Sequence, residues 1–358
     1  MKSGKEGYRV AVVGASSLLG KELVSVLEQG KFPVARLLTF EAEEGEPELP
    51  IIDLNAAGAA VVDDGQIRAG ELDFAFVSAR LRNLPAFLSS WQQEGSAARC
   101  LVIDVVGEGL GAGVDSAGGA NAVGGPVGIP FLDRRYPVPG VHSAAARLHV
   151  SAHPAVIVIS SLLLRLAARF RLKSAVAQVF TPASECGSRG VEELQRQTVN
   201  ILSFQKVPHQ VFGAQLAFNL LSRLGRSGQG DMAALELRLR RQLRHYLGER
   251  VPHPALRLFQ VPVFYSVGVS LYVETAEPVT TEAATAALAG ERIKVRRPTL
   301  DAPTQVEATG SCDILVDSIS LDAEHPNGLW LWAVADNLHL AATNAVELAA
   351  SLREQARA

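Results

Sequence analysis

Covalent chemistry at neutral pH is most readily built from a thiolate that attacks a carbonyl and an imidazole that moves the proton. The chain offers Cys100, Cys186 and Cys312 and eight histidines. The cysteines are odd in number and widely spaced, which argues against a disulfide framework or a clustered zinc site and fits a reducing compartment. Cys186 with His153 or His142 would make a nucleophile and its base. The plainer reading is a small half-buried thiol and a histidine at the entry of a helix. A second chemical feature is the run Gly14-Ala-Ser-Ser-Leu-Leu-Gly20. Backbone amides at a glycine turn that opens a helix can hold a pyrophosphate.

These residues need elements to place them. With 358 residues, 48% hydrophobic and 20% charged, the chain is long enough for two domains with sizeable cores. A formal net charge of −3 gives no overall attraction to nucleic acid or to an anionic membrane. MKSGKEGYRV is short and polar, without the pattern of a signal peptide, and no run reaches the length of a membrane span. The expectation is a soluble cytoplasmic protein with no nucleic-acid or membrane partner.

Tyr8 to Val13 reads as a strand, and Leu19, Leu23, Val26 and Leu27 mark one face of the helix after the glycine turn. Strand, turn and helix are the setting that a dinucleotide loop requires, although such a turn can also bind nothing. Gly14, Ser16, Ser17, Leu19 and Gly20 are the candidate cofactor contacts. Glu41, beyond the second strand, could accept from the ribose of NAD. Glu41, Glu43 and Glu44 would repel the 2′-phosphate of NADP, and no arginine stands among them. NADP is disfavoured and NAD stays open, with a solvated acidic loop as the bland alternative. Leu72 to Val77 and Cys100 to Val106 read as parallel strands, Asn83 to Trp91 as a helix, and Gly107 to Gly125 as a loose loop. In the second half, Ile157 to Phe170 reads as helix and Lys173 to Phe180 as strand. Leu235, Leu239, Leu243 and Leu247 form a helical ridge, with Arg240, Arg241 and Arg244 off it and Glu236 placed to pair with Arg240. Val261 to Glu274 alternates without a break and reads as one long strand.

Several stretches together resemble the aspartate-semialdehyde dehydrogenase family. Thr181-Pro-Ala-Ser-Glu-Cys-Gly-Ser-Arg-Gly-Val-Glu-Glu-Leu194 is similar to the family's Gln-Ala-x-Ser-Gly-x-Gly-x-x-Gly-Val-Glu-Glu-Leu, and Glu192 is expected near the positive end of a helix. Gln215 to Leu220, QLAFNL, matches another family segment. Asp336, Asn337, Leu338, Asn344, Ala345 and Val346 stand as in the family's last helix. Gly14 and Gly20 match its dinucleotide loop, where Ser17 replaces the middle glycine and crowds the approach of a pyrophosphate. The family's nucleophile segment, Asn-Pro-x-Cys, resembles His153-Pro154-Ala155-Val156, so the resemblance places Val156 where the cysteine would be. It likewise places Thr181 at the glutamine that orients the carbonyl, Gln260 at the arginine that binds the substrate carboxylate, and Val267 at the acid–base histidine.

The implied fold is α/β: a Rossmann-type parallel-sheet N-terminal domain, residues 1–150, completed by the C-terminal helix 335–358. An α+β dimerisation domain of the semialdehyde dehydrogenase type follows over 151–334. The expected protein is aspartate-semialdehyde dehydrogenase-like and catalytically silent, with no catalytic residues, no metal and no required cofactor. It would be a homodimer with a scaffolding or partner-binding role. Two alternatives stay open: an NAD(P)-dependent oxidoreductase with a relocated site, and a nucleotide-binding sensor.

Overall fold

A computed structural model describes residues 7–40, 51–53, 60–62, 69–79, 86–94, 99–107, 125–137, 146–296 and 300–357. The chain forms two compact units, residues 1–153 with 341–358, and residues 154–340. In order, the first unit contains β1 (Tyr8–Val13), α1 (Leu18–Gln29), β2 (Val34–Phe40), β3 (Ile51–Asp53), β4 (Ala60–Val62), β5 (Phe74–Val77), α2 (Ala86–Glu94), β6 (Leu101–Asp104), β7 (Val127–Gly128), α3 (Pro130–Asp133) and β8 (Leu148–Ser151). The second contains α4 (Pro154–Ala167), β9 (Leu172–Thr181), α5 (Gly187–Leu202), α6 (Met232–Leu247), β10 (Ala255–Gln260), β11 (Val267–Thr275), α7 (Thr281–Leu288), β12 (Ile293–Val295), α8 (Gln305–Ala308), β13 (Ile314–Leu321) and β14 (Gly328–Ala335). α9 (Asn337–Arg357) carries the chain from the second unit back into the first.

The first sheet has the order β4-β3-β2-β1-β5-β6-β8-β7. Six strands from β2 to β7 run parallel, while β3 and β4 pair antiparallel at one edge. A parallel strand covered on both faces needs a continuous apolar run, and β1 supplies one. Val10 and Val12 face a cluster with Leu23 and Leu27 of α1 and Ala342, Ala345 and Ala349 of α9. Ala11 and Val13 face Leu88 and Trp91 of α2 on the other side. Arg353 fixes the returning helix: its guanidinium bonds Asp73 at 3.0 Å and lies 5.4 Å from the ring centres of Tyr8 and Phe74. β1 lies between β2 and β5, so the strand order reverses at the end of β1, where α/β sheets hold ligands.

The second sheet has the order β10-β9-β11-β14-β13-β12. Alternation divides its residues between two faces. Ala177, Val179, Leu256, Leu258, Val269, Leu271, Leu331 and Ala333 are buried on the face covered by α4, α6 and α7. The leucine ridge of α6 is buried as expected, and Arg240 pairs with Glu236 at 2.9 Å. The opposite face presents Val176, Phe180, Phe259, Tyr272, Trp330 and Trp332. Phe180 lies 5.7 Å from Phe259 and 5.6 Å from Trp332, and Tyr272 lies 4.9 Å from Trp330.

Two expectations are corrected. Val261 to Glu274 is not one strand: β10 stops at Gln260 and β11 starts at Val267. Pro262 has no N–H for a ladder. The Val263 and Phe264 carbonyls instead accept from the Ala183 and Ser184 amides, and Ser266 turns the chain at φ 71°. Glu192 is not at a helix start, because α5 already begins at Gly187. It pairs along the helix with Arg196 at 3.6 Å.

Candidate functional site

Pro154 opens α4, a position where its missing N–H costs nothing and its fixed φ suits a helix. Val156 therefore sits in the first turn of a helix whose residues are almost all buried. The strand periodicity brings the other three positions to the face that α4 covers. Gln260 pairs with Thr181 across β10 and β9. Gly268 pairs with Phe180 across β11 and β9, so one step further along this ladder Val267 comes opposite Thr181. Val156 is 0% exposed, Thr181 1%, Gln260 2% and Val267 1%.

The two polar members satisfy each other. Gln260 Nε2 donates to the Thr181 carbonyl at 2.9 Å, and Thr181 Oγ1 donates to the Phe259 carbonyl at 3.0 Å and lies 3.4 Å from Gln260 Oε1. The Gln260 main chain exchanges hydrogen bonds with Leu221 in both directions. Valine at 156 and 267 contributes neither nucleophile nor proton carrier.

Beside these positions lies a polar node that sequence reading did not foresee. Asn337 Oδ1 accepts from the Ser266 amide at 2.9 Å, and its amide nitrogen donates to Ser184 Oγ at 3.1 Å. All three residues are buried. Asp336 caps α9 by accepting from the amides of Leu338 and His339, and it also holds the Gly310 amide. Ser184 and Asn337 each stood in a recognised motif. Ser266 was hidden inside an apolar alternation that concealed a turn.

In the first unit, Gly14 has φ 86°, and a Cβ at Gly20 would lie 2.0 Å from the Gly14 carbonyl oxygen. Both glycines are required for so close a strand-to-helix turn. Ser17 caps α1: its hydroxyl accepts from the Gly20 amide at 2.9 Å and donates to the Ser78 carbonyl at 3.2 Å. The side chain is thus engaged within the turn. Ser16 is exposed, and Leu19 packs on the core. Glu41, Glu43, Glu44, His142 and most of 107–125 lie outside the described residues. Cys186 is half-buried at the start of α5, with Sγ beside Gly230, and His153 is buried at the end of the first unit. Among the described residues no group of three His, Cys, Asp or Glu could hold a metal, and no helix is long and apolar enough to cross a membrane.

The sequence pattern of the semialdehyde dehydrogenase dimerisation domain matches residues 163–340. The rest of the chain follows the same likeness. It is 29% identical to the USG-1 protein homolog of Pseudomonas aeruginosa over 95% of this chain and 96% of that one. It is 25% identical to aspartate-semialdehyde dehydrogenase of Legionella pneumophila, covering 97% and 96%. The solved structure of a probable aspartate-semialdehyde dehydrogenase from Pseudomonas aeruginosa superimposes with a TM-score of 0.80 at 28% identity, covering 98% of this chain and 100% of the other. The mixed α/β architecture with a parallel first sheet and a mixed second sheet is thus that of the semialdehyde dehydrogenases. Thr181, Gln260 and Val267 all lie within the matched dimerisation domain, and Val156 lies on the helix that enters it.

Proposed function

We propose that this chain is a non-catalytic relative of aspartate-semialdehyde dehydrogenase that serves as a dimeric scaffold. One observation carries the reading: the four positions at which the resemblance puts nucleophile, carbonyl orienter, carboxylate binder and acid–base group are fully buried, and the only polar pair among them is bonded to itself. Such a cluster offers a semialdehyde no thiolate, no imidazole and no cation. Loss of a nucleophile alone removes orders of magnitude of rate. The dimer is supported by the aromatic face of the second sheet, because large apolar faces with a polar rim mark protein interfaces.

The test is an assay of the purified full chain for phosphate-dependent oxidation of aspartate semialdehyde with NADP and with NAD, beside sedimentation analysis. The expected result is a dimer without turnover. Turnover above the uncatalysed background would refute the reading.

NAD binding without chemistry is the second reading. It is supported by the Gly14–Gly20 turn, which keeps its left-handed glycine and its close helix approach, with Ser17 folded inward. Calorimetry with NAD and NADP tests it. Heat with NAD and none with NADP is expected, and no heat with either dismisses it.

A further inference from the structure

α5 ends at Leu202, and the chain leaves through Ser203 into Phe204, whose backbone is left-handed at φ 54°. Glycine is usual at this position past a helix end, because a Cβ is strained there. The Phe204 ring does not pack on its own chain, being 98% exposed. Val199 and Leu202, three residues apart on one side of α5, are exposed beside it. The segment that follows folds back along α5. The buried Glu193 carboxylate accepts from the amides of Gln210, Val211 and Phe212, and Gln197 bonds the main chain at Pro208, Ala214, Leu216 and Ala217. Where this pinned segment ends, Phe218 repeats the anomaly: φ 62° and 64% exposed. Leu194, Phe212, Leu216 and Ala217 form the core beneath, with Ile201, Leu221 and Leu224 against it. Two phenylalanines thus hold unfavourable backbone conformations and give the fold little buried area in return.

The same lobe carries exposed Lys206, Arg223 and Arg226, which make no ion pair among the described residues. Its acidic groups are already engaged: Glu193 is buried, and Glu192 pairs with Arg196. We infer that this lobe docks an acidic, amphipathic protein segment. The segment's apolar side chains seat on Val199, Leu202 and Phe204, and its carboxylates meet the unpaired cations. A second copy is the competing occupant, and the sedimentation arm of the test reads it out. A lipid surface is the poorer occupant, because the rest of the solvent side of α5, at Glu192, Gln195 and Arg196, is polar where an interfacial helix needs a continuous apolar face. The inference goes beyond the scaffold reading and holds whether or not the chain turns over a substrate.

The test titrates full-length protein, by fluorescence anisotropy, with a labelled helical peptide of about 18 residues bearing Leu at i, i+3, i+4 and i+7 and Glu on its other face. A matched peptide with Lys for Glu and vesicles of phosphatidylglycerol are run beside it. Saturable binding of the Glu peptide is expected, weakened about tenfold or more (~1.4 kcal/mol) in Phe204→Gly and in Lys206→Glu. Phe204→Gly and Phe204→Asn should at the same time raise Tm by about 2 °C, because both residues accept the left-handed backbone. No saturable binding of the Glu peptide, equal binding of the Lys peptide, binding to vesicles alone, unchanged affinity in Phe204→Gly, or a fall in Tm overturns the inference. So does a halved sedimentation mass in Phe204→Gly, which would make the face a self-interface.

Discussion

The Gln260 side chain donates to the Thr181 carbonyl at 2.9 Å, and the Thr181 hydroxyl lies 3.4 Å from the Gln260 amide oxygen. The two side chains close over the covered face of the sheet where a substrate carboxylate would need an open cation. Gln260→Arg puts an unpaired guanidinium into this buried position. It should destabilise the protein by about 3 kcal/mol, since a buried charge without a partner is far costlier than a neutral amide that is bonded. The midpoint of urea unfolding measures it. A variant as stable as the parent would mean that the position opens to water.

Val156→Cys tests the same closure from the helix side. Valine and cysteine are close in volume, so the change should cost less than ~1.5 kcal/mol. The new thiol should stay unreactive, because a thiol in apolar surroundings is held protonated and out of reach of reagents. The native protein should titrate with no additional fast thiol against an aromatic disulfide reagent, whereas the denatured protein shows one more. Rapid modification, or recovery of semialdehyde oxidation, would show that position 156 is open to reagents and ligands and not closed as described.

Much of this arrangement was legible in the residues. The strand of Tyr8 to Val13 and its glycine turn announce themselves because an apolar run ends at Gly14 and a helical period begins at Leu18. The leucine ridge of α6 is equally plain, since burial follows a period of about 3.6 without exception from Leu235 to Leu247. The break between β10 and β11 was legible only at Pro262, which has no N–H for a ladder. Val261, Val263, Tyr265 and Val267 keep strand alternation, and the turn at Ser266, whose amide reaches Asn337 far along the chain, gave no local sign. The mutual saturation of Thr181 and Gln260 was also hidden, because their register across two strands is set by the sheet and not by local spacing.

Asp322 gives a pH dependence. The Trp330 indole, the His325 ring and the Glu324 amide all bond its carboxylate and hold its pKa well below the ordinary 3.8. A carboxyl whose folded pKa is depressed stabilises the fold fully above the unfolded value, and the contribution is lost as pH falls through the folded value. Asp322→Asn should therefore be less stable than the parent at pH 6, and the gap should close only below about pH 4. Urea titrations of both proteins at several pH values measure it. A gap that stayed constant into strong acid would show that the hydrogen-bond geometry, and not the charge, provides the stabilisation.

Val176 tests the dimer face directly. It lies on β9, next to the edge strand of the sheet, pairs with Tyr272 of β11 and Ala255 of β10, and is 39% exposed on the side of the sheet that α4 and α6 do not cover. A glutamate there meets solvent within a single chain, so Val176→Glu should change the stability of an isolated protomer by little. In a dimer formed through this face, the same carboxylate enters a desolvated patch beside Tyr272 and Trp330 and stays unpaired there. Sedimentation equilibrium should show the mass falling to that of one chain while the secondary structure by circular dichroism is retained. An intact dimer carrying this substitution would move the interface away from the aromatic face and leave that surface to another occupant.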